Sequence, residues 1–309
     1  MNLKQAQYMT AIAQAGSLTA AAKNLFVSQP YLSQVLKQVE EENGVTLFDR
    51  SVSPFRITYA GELYLAAAEK IIAVNLQLEN QLSEVKHESK GRIRLGISVS
   101  RAVQVMPLVL PQFTGKYPNV TLELTESGSV KLGELLRSGS IDLALAASES
   151  TNPELAYELI ERETIGLLAG RTSYLAQNFE SGTPISLQDA ARDKFVFLTQ
   201  GHSARVIQNQ LFQKENFHPR LMLETNSLEV GRRVALGSGA CMLLPNIYVD
   251  GYVRQMSGAF FPLQDYRNNR HFYACYRKGY YLPQYMRDFI QITTDMLNTV
   301  HPHNFSDQG

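Results

Sequence analysis

The chain has few cysteines and no long apolar run. Cys241 and Cys275 are the only cysteines among 309 residues, and both lie in apolar, strand-like contexts. We expect buried free thiols rather than a disulfide bridge, which fits a reducing compartment. No apolar stretch approaches the roughly 20 residues that span a bilayer, and no signal-peptide core precedes the first predicted helices. The sequence therefore predicts a soluble, cytoplasmic protein that does not associate with membranes, long enough for two or three domains.

Motifs of common enzyme and metal sites are missing as well. The sequence has neither a Gly-x-x-x-x-Gly-Lys-Ser/Thr phosphate loop nor a Gly-x-Ser-x-Gly nucleophile turn. The six histidines lack the spacing of a zinc site, and His301 and His303 fall in a tail, residues 301–309, that we expect to be disordered. We therefore expect no enzyme activity, no cofactor and no metal.

Residues 17–39 carry two helical patterns separated by only two residues. Each has the i, i+3, i+4, i+7 apolar spacing that gives a helix one buried face: Leu18, Ala21, Ala22 and Leu25, then Leu32, Val35, Leu36 and Val39. Ser17 and Ser28 stand at N-cap positions, and Pro30 falls in the first turn of the second helix. The small side chains of Ala21 and Ala22 permit a close crossing. The pattern is typical of a helix-turn-helix, whose second helix fits a DNA major groove.

An ordinary helical hairpin in a globular core would show the same apolar spacing. The polar side of the second helix favours DNA binding instead, because its Ser and Gln side chains can bond base edges and phosphates. Residues 45–58 then predict two short strands around a turn, the wing of a winged module. The predicted DNA contacts are Ser28, Gln29, Pro30, Ser33, Gln34 and Lys37 on the helix, with Arg50, Ser53 and Arg56 in the wing.

These segments closely resemble the amino-terminal domain of LysR-type transcriptional regulators. The resemblance rests on Ala-Gly-Ser-Leu-Thr-Ala-Ala-Ala (15–22), Val-Ser-Gln-Pro-Tyr-Leu-Ser-Gln (27–34), Gly-Val-Thr-Leu-Phe-Asp-Arg (44–50) and Ile-Thr-Tyr-Ala-Gly (57–61). It implies a transcription factor that binds a pseudo-palindromic double-stranded DNA site as a homodimer, with homotetramers spanning two sites. Gln34 departs from the family, which often has Arg there. If Gln34 contacts a base, its preference should move from guanine toward adenine.

The charge balance is unusual for a DNA-binding chain. Lys and Arg number 29, Asp and Glu number 29, and the formal net charge is zero. Residues 1–58 hold five basic and four acidic side chains, 5 − 4 = +1. Non-specific affinity from counterion release should therefore be modest for each subunit. Specific binding would have to depend on base contacts, helix N-termini and several subunits acting together.

Residues 58–88 predict one long helix of about 28 residues, roughly 42 Å at ~1.5 Å per residue. Its apolar seam recurs in steps of three and four, with Gln81 as the polar member and Leu82 beside it: Tyr64, Ala67, Ile71, Val74, Leu78 and Val85. The stripe could pack onto its own domain. A heptad-like seam favours pairing with a second subunit, as the equivalent linker helix of LysR-type regulators does. Residues 87–91 are predicted to form a hinge.

From Arg92 the pattern changes to strands that alternate with helices. Two similar passes, 93–146 and 195–244, each predict strand, loop, helix, strand, loop, helix, Gly turn and strand. They indicate an internal repeat, parallel α/β sheets and two subdomains with a cleft between them. A strand at 271–276 and an amphipathic helix at 283–299 should return to the first subdomain.

The predicted fold class is therefore α/β with three successive parts. A winged helix-turn-helix domain covers 1–58, and a linker and dimerisation helix with its hinge covers 59–90. The family resemblance implies that 91–300 is an effector-binding domain similar to periplasmic binding proteins. Its subdomain I covers about 91–162 and 268–300, and subdomain II covers about 163–267.

Polar residues occur where the predicted strands lead into helices, the place where open α/β sheets bind ligands. Helix N-termini there suit a small anion such as a carboxylate, although a single Ser or Thr is as readily an ordinary N-cap. Arg101 could add a positive charge or simply face solvent. By position, Ser98, Ser100, Ser129, Thr199 and His202 match the ligand contacts of LysR-type regulators. The full candidate set for a small, polar or anionic effector is Ser98, Ser100, Arg101, Ser129, Ser148, Thr199, Gln200, His202 and Asn226.

A second hypothesis comes from a different functional class. A solute-binding or catalytic α/β protein with a fused helical oligomerisation module would share the repeat and the long helix. It predicts tight ligand binding or turnover without affinity for DNA.

Overall fold

The computed structural model describes residues 1–85, 90–200, 203–249, 258–264, 266 and 271–300. Most of the predicted hinge, His202 and the predicted tail at 301–309 lie outside these ranges. Lys90 and Gly91, the last two residues of the predicted hinge, already belong to a strand.

The amino-terminal part is a three-helix unit with a two-stranded wing. Its elements are α1 (Leu3–Ala15), α2 (Leu18–Asn24), α3 (Gln29–Asn43), β1 (Phe48–Asp49) and β2 (Arg56–Ile57). The core between them is apolar and includes Met9, Ile12, Leu32, Leu36 and Phe48.

The predicted caps of the helix-turn-helix are confirmed. Ser17 Oγ accepts the backbone N–H of Ala20 at 3.2 Å, and Ser28 Oγ accepts that of Tyr31 at 3.4 Å. Each cap satisfies an N–H group that the first helical turn would otherwise leave unpaired. Phe26 turns the chain between the helices in the left-handed region, with φ 55°.

The linker helix α4 (Tyr59–Val85) has a buried side and an exposed side. Tyr64 packs into the amino-terminal core, and Ala73 lies against Gly139 of the following α/β region. Tyr64 therefore does not belong to an exposed seam, which corrects that part of the prediction. Val74 and Leu78 do lie on the exposed side.

The first α/β unit is a five-stranded sheet with helices on both faces. Its strands run in the order β4-β3-β5-β12-β6. They are β3 (Lys90–Ile97), β4 (Asn119–Glu126), β5 (Leu143–Ser148), β6 (Leu155–Glu161) and β12 (His271–Arg277). Its helices are α5 (Val99–Lys116), α6 (Ser129–Ser138) and α10 (Gln284–Val300).

The second unit is also a five-stranded sheet, in the order β11-β7-β10-β8-β9. Its strands are β7 (Ile165–Ala169), β8 (Lys194–Leu198), β9 (Arg220–Thr225), β10 (Cys241–Pro245) and β11 (Ala259–Pro262). Its helices are α7 (Tyr174–Asn178), α8 (Ser203–Lys214) and α9 (Leu228–Ser238), with 3₁₀ turns at Leu187–Ala190 and Asn246–Tyr248.

The predicted internal repeat is confirmed. Strand and helix alternate as β3-α5-β4-α6-β5 in one unit and β8-α8-β9-α9-β10 in the other. Both passes end their second helix at a left-handed glycine, Gly139 and Gly239. The final helix α10 packs on α5 of the first unit, as predicted, with the rings of Phe113 and Phe289 edge to face at 5.1 Å.

The strands of the two repeated passes pair in parallel, as predicted: β3 with β4 and β5, and β8 with β9 and β10. Each sheet as a whole is nevertheless mixed. β12 runs antiparallel to β5 and β6, and β7 runs antiparallel to β10 and β11. The sequence pattern did not predict β6, β7, β11 or α7. β6 and β7 carry the chain from one unit to the other, and β12 returns it, so their partners lie far along the chain.

Cys241 and Cys275 are both free and buried, as expected. Burial raises the pKa of the Cys275 thiol to about 12 and that of Cys241 even further. Among the residues that the structure describes, no helix combines the length and apolar character needed to cross a bilayer.

Two glycines of the α6 region should respond oppositely to alanine. A Cβ at Gly139 (φ +82°) would lie 2.7 Å from Ala73 Cβ, whereas one at Gly133 would meet no described atom within 4 Å. We expect Gly139→Ala to lower the free energy of unfolding by about 1–3 kcal/mol. The matched control Gly133→Ala should raise it by about 0.5–1 kcal/mol, because Ala is the better helix former. Urea denaturation measures both, and an unchanged Gly139→Ala protein would contradict the contact between α4 and the loop after α6.

Candidate nucleic-acid interface and ligand cleft

Helix α3 buries one side in the core and leaves the other open. Leu32, Leu36 and Val39 are buried. The exposed predicted contacts are Ser28, Gln29, Pro30, Gln34 and Lys37, and Ser33 is half-buried beside them. The structure therefore brings the predicted helix contacts onto one accessible surface at the amino-terminal half of α3.

The wing is a short antiparallel ladder that pairs Phe48 with Ile57 and Asp49 with Arg56. Arg50, Ser53 and Arg56 are exposed on it. A hydrogen bond from the Ser51 hydroxyl is the main cause that lowers the pKa of Asp49. The wing thus presents two cations beside an ionised carboxylate.

Glu40 joins the wing to α3. Its Oε2 lies 2.9 Å from Arg50 Nη2, and its Oε1 accepts the backbone N–H of Leu47 at 2.8 Å. On α3, Lys37 Nζ lies 3.5 Å from Glu41 Oε1. Two of the predicted cationic contacts are therefore partly neutralised within their own domain.

An aromatic cluster near the start of α3 was not predicted. Lys4 Nζ lies 5.6 Å from the ring centre of Tyr8 and 5.5 Å from that of Tyr31, and the two rings meet edge to face. A hydrogen bond with Tyr31 is the main cause that raises the pKa of Lys4. The i, i+4 spacing of Lys4 and Tyr8 on α1 is the sequence signal that could have indicated half of this cluster.

In the first α/β unit, the predicted ligand residues meet at one edge of the sheet. The parallel pairing of β3 with β4 and β5 places their carboxyl ends side by side. Ser98 is the N-cap residue of α5, and its carbonyl accepts the N–H of Ala102 at 2.8 Å. Ser129 is the first residue of α6. Ser148 is the last residue of β5 rather than part of the loop after it. These three serines are half-buried, as is Ser100.

The second unit repeats the arrangement. Thr199 and Asn226 follow the parallel strands β8 and β9, and the Thr199 N–H donates to Thr225 O at 2.9 Å. Gln200 and Asn226 are exposed, and Thr199 is half-buried. His202 lies outside the described residues.

Arg101 does not face solvent and is not presented to a ligand, which corrects both readings of its sequence position. It is 2% exposed. Its Nη1 lies 3.3 Å from Glu161 Oε2, its Nη2 pairs with Glu163, and its guanidinium stacks 3.9 Å from the centre of the Phe272 ring. Two carboxylates that the sequence pattern did not single out therefore hold this charge in the interior.

This ion pair lies where the two α/β units meet. Gln104 Nε2 donates to Ile247 O at 3.0 Å, linking α5 to the second unit. Thr164 and Asn246 exchange two hydrogen bonds, and the Glu163 N–H donates to His271 Nδ1 at 3.2 Å. Burial lowers the pKa of His271, so its neutral ring accepts this bond near neutral pH. Polar contacts next to the start of α5 thus fix the place where the chain passes from the first α/β unit to the second.

Removing the Arg101 charge should destabilise the protein strongly. Arg101→Met leaves Glu161 and Glu163 buried without their cation, which should cost about 3–5 kcal/mol of unfolding free energy. The control Arg92→Met breaks an exposed pair with Glu123 at 3.3 Å and should cost under about 1 kcal/mol. Equal effects of the two variants in urea denaturation would contradict a structural role for the buried pair.

Comparisons with known proteins assign the chain to a family. The family model of the bacterial regulatory helix-turn-helix protein, lysR family, matches residues 3–62, and the LysR substrate binding domain matches residues 86–298. The transcriptional activator IlvY of Haemophilus influenzae is 30% identical over 236 residues, covering 76% of this chain and 80% of that protein. The uncharacterized HTH-type regulator YwbI of Bacillus subtilis is 27% identical over 300 residues, covering 96% and 97%.

Solved structures share the whole fold. Full-length OxyR from Pseudomonas aeruginosa has a TM-score of 0.70 at 22% identity, covering 96% of this chain and 95% of that chain. Full-length CbnR complexed with its target DNA has a TM-score of 0.63 at 22% identity, covering 96% and 100%. At these identities the likeness shows the fold alone. Together with the two matched domains, it leads to one conclusion: the chain belongs to the LysR family and is a DNA-binding transcriptional regulator with an effector-binding domain.

Proposed function

We propose that this chain binds a pseudo-palindromic operator as a homodimer, inserting α3 into the major groove with the wing against the backbone. The proposed contacts are Ser28, Gln29, Pro30, Ser33, Gln34 and Lys37 of α3, with Arg50, Ser53 and Arg56 of the wing. The observation that carries the proposal is that the polar side of α3 is exposed. The opposite side of α3 packs into the core, and the Ser28 cap fixes where the helix begins. The parts we propose are the DNA-binding domain 1–58, the linker 59–90 and the effector domain 91–300.

Base contacts rather than net charge should supply the specificity of this domain. Lys37 pairs with Glu41 and Arg50 with Glu40, so few free cations are left to displace counterions from DNA. Ser and Gln side chains form directional hydrogen bonds with base edges, and Gln pairs best with adenine. We therefore expect weak non-specific affinity and a shallow dependence of binding on salt.

Removing two proposed base-reading side chains should weaken operator binding selectively. We expect Ser33→Ala/Gln34→Ala to cost about 1–3 kcal/mol for each bidentate hydrogen-bonded pair with a base that it abolishes. Binding to a random duplex should not change, because those hydrogen bonds carry the sequence preference. The measurement is fluorescence anisotropy with the DNA upstream of the chain's own gene.

The matched control is Gln38→Ala, on the same helix. Its side chain is already bound to Glu42 Oε1 at 2.7 Å, so operator affinity should be unchanged. Unaltered operator binding by the double variant would reject α3 as the recognition helix. Absence of any DNA affinity in the unmodified protein would favour a solute-binding protein with an oligomerisation module.

The exposed side of α4 supports dimerisation through the linker. Leu63, Val74, Leu78 and Leu82 are each at least half exposed and follow one another along the helix. An apolar stripe of this length on a 27-residue helix is what a coiled-coil partner buries. We propose a homodimer through this stripe, and homotetramers that span two operator sites.

A charge in the stripe should separate the subunits. We expect Leu78→Glu to weaken the dimer at least about tenfold, because the carboxylate would lose its hydration in an apolar seam. The control Glu79→Ala changes the next residue along the chain, whose side chain lies outside the stripe and accepts a hydrogen bond from Asn75 Nδ2 at 2.7 Å. This variant should leave the dimer intact. Sedimentation equilibrium tests both, and an unchanged dimer in Leu78→Glu would reject this interface.

We propose that a small effector binds where the strand ends of the two units face the cleft, using Ser98, Ser100, Ser129, Ser148, Thr199, Gln200, His202 and Asn226. The helix N-termini there favour its polar or anionic end. A preference of about 1–3 kcal/mol for one arrangement of the units suffices to change operator binding. Because the proposed operator is chromosomal DNA, we expect the protein to function in the cytoplasm.

A further inference from the structure

Lys4 differs from the other cations near α3 in its surroundings. Lys37 and Arg50 each pair with a glutamate of α3, which partly neutralises their charge within the domain. Among the residues that the structure describes, no carboxylate pairs with the exposed Lys4. A hydrogen bond with Tyr31 raises the pKa of Lys4, so its ammonium stays charged at physiological pH. Lys4 therefore offers a full positive charge to a ligand on the surface of this domain.

Two tyrosines hold this ammonium at the start of α3. Lys4 lies in the first turn of α1 and Tyr31 in the first turn of α3, so their contact joins the starts of the two helices. The Tyr31 ring meets that of Tyr8 edge to face at 6.2 Å, and Tyr8 is buried in the domain core. The Ser28 cap fixes the backbone of Tyr31. The Lys4 ammonium and the Tyr31 hydroxyl are thus oriented before a ligand binds.

The hydrogen bonds within this cluster leave protons for an anion. An ammonium has three N–H donors and no acceptor, so Lys4 donates to the hydroxyl oxygens of Tyr31 and Tyr8 and keeps one further N–H. The Tyr31 hydroxyl keeps its own proton, and it is exposed. A phosphate oxygen accepts hydrogen bonds from both kinds of donor. The pair of Lys4 and Tyr31 can therefore donate two hydrogen bonds to one phosphate group.

The acidic residues of α1 and α3 lie away from this pair. The first turns of both helices contain no acidic residue. The carboxylate that joins α3 to α1 is Glu42, whose Oε2 accepts a hydrogen bond from Gln5 Nε2 at 3.2 Å. Glu42 follows Tyr31 by eleven residues, roughly 16 Å along the helix at ~1.5 Å per residue. An anion at Lys4 and Tyr31 is therefore attracted by the ammonium and lies far from this carboxylate.

The pair and the wing lie on opposite sides of α3. Glu40 holds the wing, and Tyr31 holds Lys4. Glu40 follows Tyr31 by nine residues, which is about two and a half turns at about 3.6 residues per turn. The exposed Gln34 follows Tyr31 by three residues, so the two are neighbours on the helix surface. The polar side of α3 thus lies between the wing on one side and the pair on the other.

We infer that Lys4 and Tyr31 bind a backbone phosphate of the operator, on the side of the major groove opposite the wing. The major groove is about 12 Å wide and has a phosphate backbone along each edge. With α3 inserted, the wing lies at one edge, and the Lys4 ammonium and Tyr31 hydroxyl lie at the other. Contacts at both edges fix the orientation of α3 over the bases. The inference rests on the proposed insertion of α3 and adds two DNA contacts that the sequence pattern did not predict.

Removing the Lys4 charge tests this contact through its dependence on salt. The probes are the DNA upstream of the chain's own gene and a random duplex of equal length. We expect Lys4→Met to bind both less tightly by the same factor, at least about fivefold at low salt. The slope of log affinity against log salt should become less steep by about 0.9 for each bound chain, because one fewer phosphate is neutralised. Fluorescence anisotropy measures both quantities, and an unchanged slope would overturn the inference.

A matched control removes the same charge from another domain. Lys214 is exposed on α8 of the second α/β unit, with its Nζ 3.8 Å from Glu215 Oε1. Lys214→Met changes the net charge by the same amount and should leave both affinities and the salt slope unchanged. An effect equal to that of Lys4→Met would show a general influence of net charge and would overturn the inference.

The Tyr31 hydroxyl is tested apart from its ring. Tyr31→Phe keeps the aromatic contact with Tyr8 and removes the oxygen that holds the Lys4 ammonium. We expect weaker binding to both duplexes by one common factor and an unchanged salt slope, because no charge is lost. In the Lys4→Met background the same change should have a smaller effect, since the two side chains bind one phosphate. Undiminished binding by Tyr31→Phe, or single effects that multiply in full, would contradict a shared phosphate.

Ethylation interference locates the phosphate on the DNA. Ethylation removes the charge of a single phosphate, so it should impair binding wherever the protein contacts that group. We expect one interfering phosphate in each half-site to stop interfering when Lys4→Met replaces the unmodified protein. Identical interference patterns for the two proteins would overturn the inference.

The base-reading variant separates this inference from the proposed function. If Ser33→Ala/Gln34→Ala loses the operator preference while Lys4→Met binds like the unmodified protein, only the Lys4 contact is rejected. If Lys4→Met shows the expected loss while the double variant keeps the operator preference, the phosphate contact is supported and base reading by α3 is rejected. If the unmodified protein binds no duplex, the proposed function and the inference fail together.

Discussion

The close crossing of α2 and α3 is the constraint on which the DNA-binding function depends. Ala21 and Ala22 are buried in the core that α2 shares with α3, where small side chains permit a close approach of the helices. Because Leu32, Leu36 and Val39 occupy the same core, the rotation of α3 about its axis is fixed. A larger residue at either alanine would tilt α3 and displace Gln34 and the other proposed base contacts. The Ser28 cap sets the first residue of α3, and the hydrogen bond from the Leu47 N–H to Glu40 holds the wing against α3.

A second constraint holds the effector domain together. Arg101 joins the start of α5 to Glu161 and Glu163, at the point where the chain passes between the two sheets. The proposed effector contacts Ser98 and Ser100 lie within three positions of this buried charge.

The sequence predicted the parts of the structure that local patterns determine. Ser17, Ser28 and Pro30 mark helix starts by their own chemistry, and Gly139 and Gly239 mark helix ends, so the helix-turn-helix and the repeat were predictable. The antiparallel strands β6, β7 and β11 were missed, because their partners are remote in sequence. Arg101 was misplaced for the same reason: Glu161 lies 60 positions away and no local pattern announces it.

The most direct test of the account compares the affinity of the unmodified protein for its own promoter DNA and for random duplexes, over a range of salt concentrations. A protein that recognises base edges through α3 should prefer the promoter by at least about 10³-fold. Its affinity for the random duplex should be weak, with a shallow salt slope set by the few unpaired cations. Equal, weak affinity for every duplex would contradict the account.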